Sequence, residues 1–196
     1  DPDNPDTYNI TPDDRQIIGN TNPKHTGGLN LSAVYKNLDI SLFFNWVYGN
    51  DVYNANKIQF TTQWKKDYYN MLSVMSSANR FRYMDDAGNK ITDMEQLRTL
   101  NENATIWSPA MKIPVLHSWA IEDGSFLRLN NITIGYTLPT KWTKRVLINR
   151  CRVYCTVNNV FVWTKYSGFD PEVSTCLSTP LTPGVDFSSY PKARTF

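Results

Sequence analysis

The sequence predicts an all-β fold of long antiparallel strands, and three observations lead to that prediction. Aromatic residues make up 13% of the chain and hydrophobic residues 41%, against 19% charged residues, a composition rich in strand-forming side chains. One run of eleven residues alternates between large apolar and mostly polar side chains. Short and long connections also alternate between the predicted strands. Together these features favour a sheet with one apolar face.

The strongest strand prediction covers Leu38 to Tyr48. A period of two places its even-numbered residues on one face of a strand and its polar residues on the other. At ~3.3 Å per residue the run is roughly 36 Å long, and a tilt of about 45° projects it to ~25 Å, the height of the apolar band of an outer-membrane barrel. We therefore expect one face to contact lipid, through Leu38, Ile40, Leu42, Phe44, Trp46 and Tyr48, and the other to carry Asp39, Ser41 and Asn45.

A hairpin is predicted over residues 28–48, after a loop at 1–27. Residues 28–35 alternate in the same way, with Asn30 and Ser32 on the polar side, and Lys36-Asn37 forms a tight turn into the long strand. Residues 49–116 are then predicted to be a long extracellular loop with short helices at Thr62–Ser76 and Asp93–Asn101. Its aromatic side chains could bind a ligand or partner, or could form a small core of the loop itself: Trp64, Tyr68, Tyr69, Phe81, Tyr83 and Trp107.

A second strand pair is predicted at residues 117–163, with strands at Ser125–Leu138 and Arg150–Trp163 joined by a short periplasmic turn. A bulge near Asn130-Asn131 reconciles the two halves of the first strand, whose apolar residues change parity there. Residues 164–190 follow as an extracellular loop, and 191–196 as the start of another strand. The expected lipid-facing residues of this pair are Ile132, Ile134 and Tyr136, and the expected polar-face residues are Arg128 and Arg152.

This alternation of short and long connections is typical of outer-membrane barrels. Four strands and the start of a fifth cannot close a barrel, so we expect a part of a larger one. No window approaches the ~20 apolar residues of a transmembrane helix. The alternative is a water-soluble β-sandwich that binds carbohydrate, in which a second sheet would cover the apolar stripe.

Catalytic and metal chemistry are not supported by the sequence. Glu122 and Asp123 are adjacent and should point to opposite faces of a strand, whereas glycoside hydrolysis needs two converging carboxylates. No nucleophile-histidine arrangement or phosphate-binding loop is present. The acidic stretch Asp1–Asp6 lacks the glycine of calcium loops, so no metal or other cofactor is predicted. The net charge of +2 without a basic run gives no reason to expect nucleic acid.

Four segments resemble the C-terminal barrel region of the SusC/RagA family of TonB-linked outer-membrane transporters of Bacteroidota. They lie in the family's order along the chain and are Asp14-Arg15-Gln16-Ile17-Ile18-Gly19-Asn20, residues 121–139 (IEDGSFLRLNNITIGYTLP), residues 163–173 (WTKYSGFDPEV) and Tyr190-Pro191-Lys192-Ala193-Arg194-Thr195-Phe196.

The resemblance implies a 22-stranded barrel in the cell outer membrane, of which this chain supplies late strands and loops. It also implies import of oligosaccharides, peptides or other large nutrients, a SusD-like surface lipoprotein as partner, and TonB acting through an N-terminal region outside this chain. On that basis the polar strand face would line the barrel lumen.

Overall fold

The computed structural model describes residues 15–63, 70–110, 116–172, 174 and 183–196. Seven strands and three α-helices are assigned within them. The strands are β1 (His25–Tyr35), β2 (Leu38–Tyr48), β3 (Asp51–Asn54), β4 (Ile121–Asp123), β5 (Phe126–Thr137), β6 (Arg152–Thr164) and β7 (Val185–Asp186), and the helices are α1 (Ala55–Gln59), α2 (Met94–Leu100) and α3 (Thr140–Thr143). Short 3-10 turns lie at Ser73–Met75, Ser118–Ala120 and Lys144–Val146.

The four long strands form one antiparallel sheet in the order β1-β2-β5-β6. The predicted hairpin is confirmed: Leu38 lies opposite Tyr35, and Tyr48 opposite His25. Lys36 enables the tight turn by adopting a φ of 54°, in the left-handed region. The predicted bulge is also confirmed, because the pairing of β5 with both neighbours shifts between Leu129 and Asn131.

The register separates the sheet into an apolar face and a polar face. In an antiparallel pair, directly opposed residues project to the same side, so the even-numbered residues of β2 share a face with their partners on β1, β5 and β6. This apolar face remains open: Leu31, Ile134 and Phe161 are 46%, 47% and 51% exposed. It comprises Leu29 and Leu31 of β1, Leu38 to Tyr48 at even positions of β2, Leu127, Leu129, Ile132, Ile134 and Tyr136 of β5, and Val153, Cys155, Val157, Phe161 and Trp163 of β6.

The long connections meet at one end of the sheet, where β3, β4 and β7 form a small second sheet in the order β4-β3-β7. Buried apolar residues concentrate here, among them Val52, Ile58, Ala120 and Phe126. The loops therefore have a core of their own. This small sheet does not cover the apolar face of the large one, contrary to what the β-sandwich alternative requires.

Of the two helices predicted in the long loop, one is confirmed. Asp93 caps α2 by accepting a hydrogen bond from the Glu95 N–H at 3.1 Å. The helix predicted at Thr62–Ser76 is wrong in the part that the structure describes, where only the 3-10 turn Ser73–Met75 forms. The sequence reading missed α1, which directly follows β3 and is only five residues long.

The opposite end of the sheet carries the two short connections. The β5–β6 connection contains α3 and the Lys144–Val146 turn, and the Leu138 N–H closes its base on the Cys151 carbonyl at 2.9 Å. The final segment continues the sheet order, since Thr195 bridges to Asn158 of β6 in antiparallel orientation. Across the described ranges, no helix is long and apolar enough to cross a membrane.

Candidate functional site: the polar face and the loop cluster

Hydrogen-bonding side chains cover the polar face of the sheet. Ser41 donates to the Asn30 side-chain oxygen at 3.3 Å, and Asn130 in the bulge donates to Asn45 Oδ1 at 2.7 Å. Thr133 and Thr156 share a hydrogen bond at 3.0 Å across β5 and β6. Ser32 lies opposite Ser41 on this face. The structure thus brings together the residues that the sequence assigned to a polar face.

Arg152 and Asp39 form an ion pair that crosses β5. Nε of Arg152 donates to Asp39 Oδ1 at 3.0 Å, although β6 and β2 are separated by a strand. Gly135 makes this crossing possible, because it lies between them on β5 and a Cβ there would come within 2.4 Å of Arg152 Nη2. The glycine of the Ile-Gly-Tyr motif therefore leaves a path for a guanidinium over the sheet.

Arg128 is on the polar face but is covered by the loop that follows β6. Its guanidinium binds Asp170 at 2.5 Å and Glu172 at 3.3 Å, and its side chain is only 5% exposed. Glu172 also pairs with Lys192 at 2.6 Å. Three of the sequence motifs thus meet at one buried cation, and the Asp-Pro-Glu segment is fixed against the sheet.

The same loop is anchored a second time by Tyr166. Its hydroxyl donates to Asp186 Oδ2 at 2.7 Å, with both residues buried. Burial and the neighbouring carboxylate raise the pKa of Tyr166, so the phenol keeps its proton and acts as a donor. Gly168 lies against the ring, where a Cβ would be 2.4 Å from Cε1, which explains the glycine of the Tyr-Ser-Gly motif.

Glu122 connects three parts of the loop cluster. Its carboxylate accepts hydrogen bonds from the Ser167 N–H at 2.8 Å and hydroxyl at 2.7 Å, and pairs with Lys57 at 3.2 Å. Burial opposes its ionisation, but the hydrogen bonds from Ser167 and Lys57 outweigh that effect and lower the pKa of Glu122. Lys57 also lies 4.1 Å from the ring centre of Trp119. Every one of these groups is occupied in holding the loops together.

The terminal motif holds the chain against the bulged part of β6. Arg194 donates to the Val160 carbonyl at 2.6 Å, and the Asn159 side chain donates to the Ala193 carbonyl at 2.7 Å. Asn159 has a φ of 52°, so a residue that tolerates the left-handed region occupies this position. The terminal motif therefore holds the end of the chain beside β6.

An apolar cleft of about 830 Å³ opens beside this network. Phe169 and Tyr190 are 80% and 90% exposed at its margin, and Trp119 contributes another ring. The sequence reading missed all three as site residues, although Phe169 and Tyr190 lie inside the quoted motifs. Phe60 and Leu72 add to its apolar lining.

The aromatic residues assigned to the long loop divide into two groups. Trp107 packs edge-on against Trp119 at 5.4 Å between ring centres and, with Phe81, lines a larger depression of about 1420 Å³ next to α2. Tyr83 lines a separate small pocket. Trp64, Tyr68 and Tyr69 lie outside the described residues, as does the acidic stretch 1–6.

At the loop end of the apolar face, aromatic side chains form a cluster on β1 and β2. His25 stacks on Tyr48 with 5.1 Å between ring centres and accepts a hydrogen bond from Trp46 Nε1 at 3.3 Å. Gly27 accommodates the indole, since a Cβ there would come within 2.2 Å of Trp46. Polar ring atoms at the edge of an apolar band are typical of a membrane interface.

The comparisons with known proteins agree with this architecture. Over 95% of its length the chain is 30% identical to TonB-dependent receptor P3 of Formosa agariphila, and over 63% of its length it is 32% identical to TonB-dependent receptor SusC of Bacteroides thetaiotaomicron. It spans only 17% of the first relative and 12% of the second. No family model matches the chain.

Solved structures of the RagAB peptide transporter have the same fold in the matching region. One superimposes with a TM-score of 0.68 over 96% of this chain, at 23% identity. Another, of the importer in its open-open state, gives a TM-score of 0.59 over 91% of the chain, at 27% identity. The chain covers 18% and 17% of these two larger chains.

Proposed function

The chain belongs to the SusC/RagA-type TonB-dependent outer-membrane transporters, and we propose that it forms four strands and two long loops of an importer for oligosaccharides or peptides. The antiparallel sheet is part of an outer-membrane barrel wall. Import through such a wall needs no covalent chemistry from these residues, in keeping with relatives that are named as receptors and transporters.

One observation carries the proposal: a sheet of four long strands has one open apolar face and one hydrogen-bonded polar face. In water an open apolar face of this size is costly, at about 25 cal/mol per Å² of apolar surface. In a bilayer it is the surface that contacts acyl chains, and the polar face then lines the lumen. The lipid-facing role falls on Leu38, Ile40, Leu42, Phe44, Trp46, Tyr48, Ile132, Ile134 and Tyr136, and the lumenal role on Asn30, Ser32, Asp39, Ser41, Asn45 and Arg152. Arg128, expected from the sequence to line the lumen, is buried beneath the Asp-Pro-Glu loop and holds that loop instead.

The loop cluster supports the proposed contact with cargo and partner. Rings exposed beside a cleft can stack on the faces of sugars or on peptide side chains. Phe81, Tyr83 and Trp107, together with Trp119, Phe169 and Tyr190, are placed at the loop end of the sheet, where a SusD-like surface lipoprotein would close over the barrel. The arrangement favours binding over catalysis.

A pair of lysine substitutions at adjacent positions of β2 tests the proposal in the full-length transporter. Leu42→Lys places a charge in the middle of the apolar face, which costs about 2–4 kcal/mol at the bilayer midplane. We expect loss of the heat-modifiable, membrane-inserted form from the outer-membrane fraction.

Ser41→Lys is the matched control, because it adds the same side chain to the polar face. We expect it to insert normally. If both variants insert equally well, or if only Ser41→Lys fails, the two faces of the sheet do not have the proposed environments.

A further inference from the structure

The β5–β6 connection carries exposed apolar side chains that the proposed function does not explain. It lies at the end of the sheet away from the long loops and contains α3 and the Lys144–Val146 turn. Four apolar side chains in this short stretch face outward: Trp142 is 62% exposed, Val146 65%, Leu147 95% and Ile148 44%. A connection that met only water would be expected to be polar.

The backbone of this connection displays Leu147 at a position that glycine usually occupies. The Ile148 N–H bonds to the Thr143 carbonyl at 3.1 Å and the Leu147 N–H to the Lys144 carbonyl at 3.2 Å, which is the pattern of a Schellman motif. Leu147 sits at its left-handed residue, with φ 59° and ψ 22°. A bulky side chain is strained there and gains nothing from burial within the described chain. A contact with a surface outside this fold would offset that strain.

The charges of the connection are of one sign. Lys141, Lys144 and Arg145 are all exposed, and the sequence contains no aspartate or glutamate from Gly124 through Phe169. Within the described residues, none of these three cations forms a salt bridge with a carboxylate, whereas Arg150 interacts electrostatically with Asp39 of β2. Apolar side chains mixed with uncompensated cations are the composition of segments that lie at an anionic membrane surface.

We propose that the β5–β6 connection is an interfacial anchor that inserts Leu147 and its apolar neighbours among anionic phospholipids at the membrane rim. The occupant is lipid because the charge is complementary and because the apolar-face residues nearest the connection, Tyr136 and Val153, are exposed beside it. The inference rests on the proposed function, since it requires the sheet to span a bilayer.

The test uses bimane attached to single cysteines of the full-length transporter, with Cys151, Cys155 and Cys176 replaced by serine, in vesicles of phosphatidylethanolamine and phosphatidylglycerol. Phosphatidylglycerol with brominated acyl chains quenches a label in lipid, and iodide quenches a label in water. For Leu147→Cys we expect quenching by the brominated lipid and protection from iodide. Quenching by iodide alone overturns the proposal. Quenching by neither reagent also overturns it, because a label buried against a plug or a periplasmic protein would give that result.

Two further positions separate this inference from the proposed function. Ile134→Cys, on the apolar face, should be quenched by the brominated lipid, and Ala87→Cys, in an exposed turn of the long loop, by iodide. If Ile134→Cys behaves as expected but Leu147→Cys does not, only the anchor is wrong. If Ile134→Cys itself avoids lipid, the membrane-spanning sheet is wrong.

Replacing the cations tests the electrostatic part. With Lys141, Lys144 and Arg145 changed to glutamine, the label at position 147 should lose its quenching by brominated phosphatidylglycerol while the label at position 134 keeps it. Unchanged quenching at position 147 would contradict recognition of anionic headgroups.

Discussion

At the residue scale, the motif residues of this chain are explained by the contacts that they make with each other. Arg128 binds Asp170 and Glu172, Tyr166 binds Asp186, and Arg194 binds carbonyls of the bulged strand. Each contact joins segments far apart in the sequence. These residues position the loops over the polar face.

Removal of the Asp170 charge should destabilise the loop cluster strongly. Asp170→Asn keeps the shape of the side chain but leaves Arg128 buried with Glu172 as its remaining partner. Removing one partner of a buried ion pair costs about 3–5 kcal/mol. Because the Glu172 carboxylate remains as a partner of Arg128, we expect a loss at the lower end, about 3 kcal/mol. Urea unfolding of the full-length transporter measures the loss.

Asp86→Asn is the matched control for this substitution. Asp86 pairs with Arg82 at 2.8 Å, but its side chain is 93% exposed. Solvent screens such a pair, so no measurable change in the free energy of unfolding is expected. Equal effects of the two substitutions would show that the buried pair at Arg128 contributes no more to the free energy of unfolding than an exposed pair does.

Glu122 should make the order of the loops dependent on pH. Its pKa is lowered in the folded state, so its stabilising contribution is complete above the usual carboxyl pKa of about 4.3 and is lost as the pH falls through the lowered value. Hydrogen exchange of the amides of 119–123, corrected for its intrinsic pH dependence, should therefore accelerate in acid. In Glu122→Gln these amides should be less protected at neutral pH and should change less in acid, and an unaltered pH profile would contradict this role.

At the element scale, glycine positions decide which side chains can cross the sheet. In Gly135→Ala the added methyl group displaces the Arg152 guanidinium, and the strand itself is retained because only the flexible end of a side chain must move. Asp39→Asn should then destabilise the wild-type transporter and have no effect in the Gly135→Ala background, as measured by a double-mutant cycle of unfolding free energies.

Gly28→Ala provides the comparison on the same face of the sheet. A Cβ at Gly28 has its nearest neighbour at 3.5 Å, an ordinary contact with Phe43. The effect of Asp39→Asn should persist in this background. An effect of equal size in both glycine variants would mean that Gly135 does not open the path for Arg152.

The sequence was sufficient to predict the long strands but not the loop fold. Period-two alternation in β2 and the parity change at Asn130 reflect local geometry, so the hairpin and the bulge could be predicted from pattern alone. The small sheet of β3, β4 and β7 is held by residues such as Glu122 and Asp186, whose partners lie 45 and 20 positions away. No local pattern encodes such pairings, and α1 is too short to have a clear period.

The same distinction applies to the candidate site. Polarity placed Asn30, Ser41 and Arg152 on one face of the sheet because alternation determines which side a strand residue takes. Burial of Arg128 beneath the Asp-Pro-Glu loop, and the cleft beside Phe169 and Tyr190, depend on how the loops fold back. In the sequence, these features are marked only by the motifs that contain Arg128, Phe169 and Tyr190. A motif does not show which residues its side chains contact.

At the scale of the whole molecule, the proposed role requires different environments for the two faces of one sheet. Outer-membrane localisation follows from the family, and the polar and apolar faces then correspond to lumen and lipid. The fold joins a wall of long strands to a separately packed loop cluster at one end. Cargo and partner contacts are proposed at that end, and the lipid anchor at the other.

The most direct test of this claim is a nitroxide scan of residues 38–48 in the full-length transporter reconstituted in lipid. Collision with oxygen, which concentrates in the bilayer, and with a water-soluble nickel chelate reports the environment of each side chain. We predict that oxygen accessibility oscillates with a period of two, with maxima at Leu38, Ile40, Leu42, Phe44, Trp46 and Tyr48. A flat profile, or maxima at the odd positions, would contradict the assignment of the apolar face to lipid.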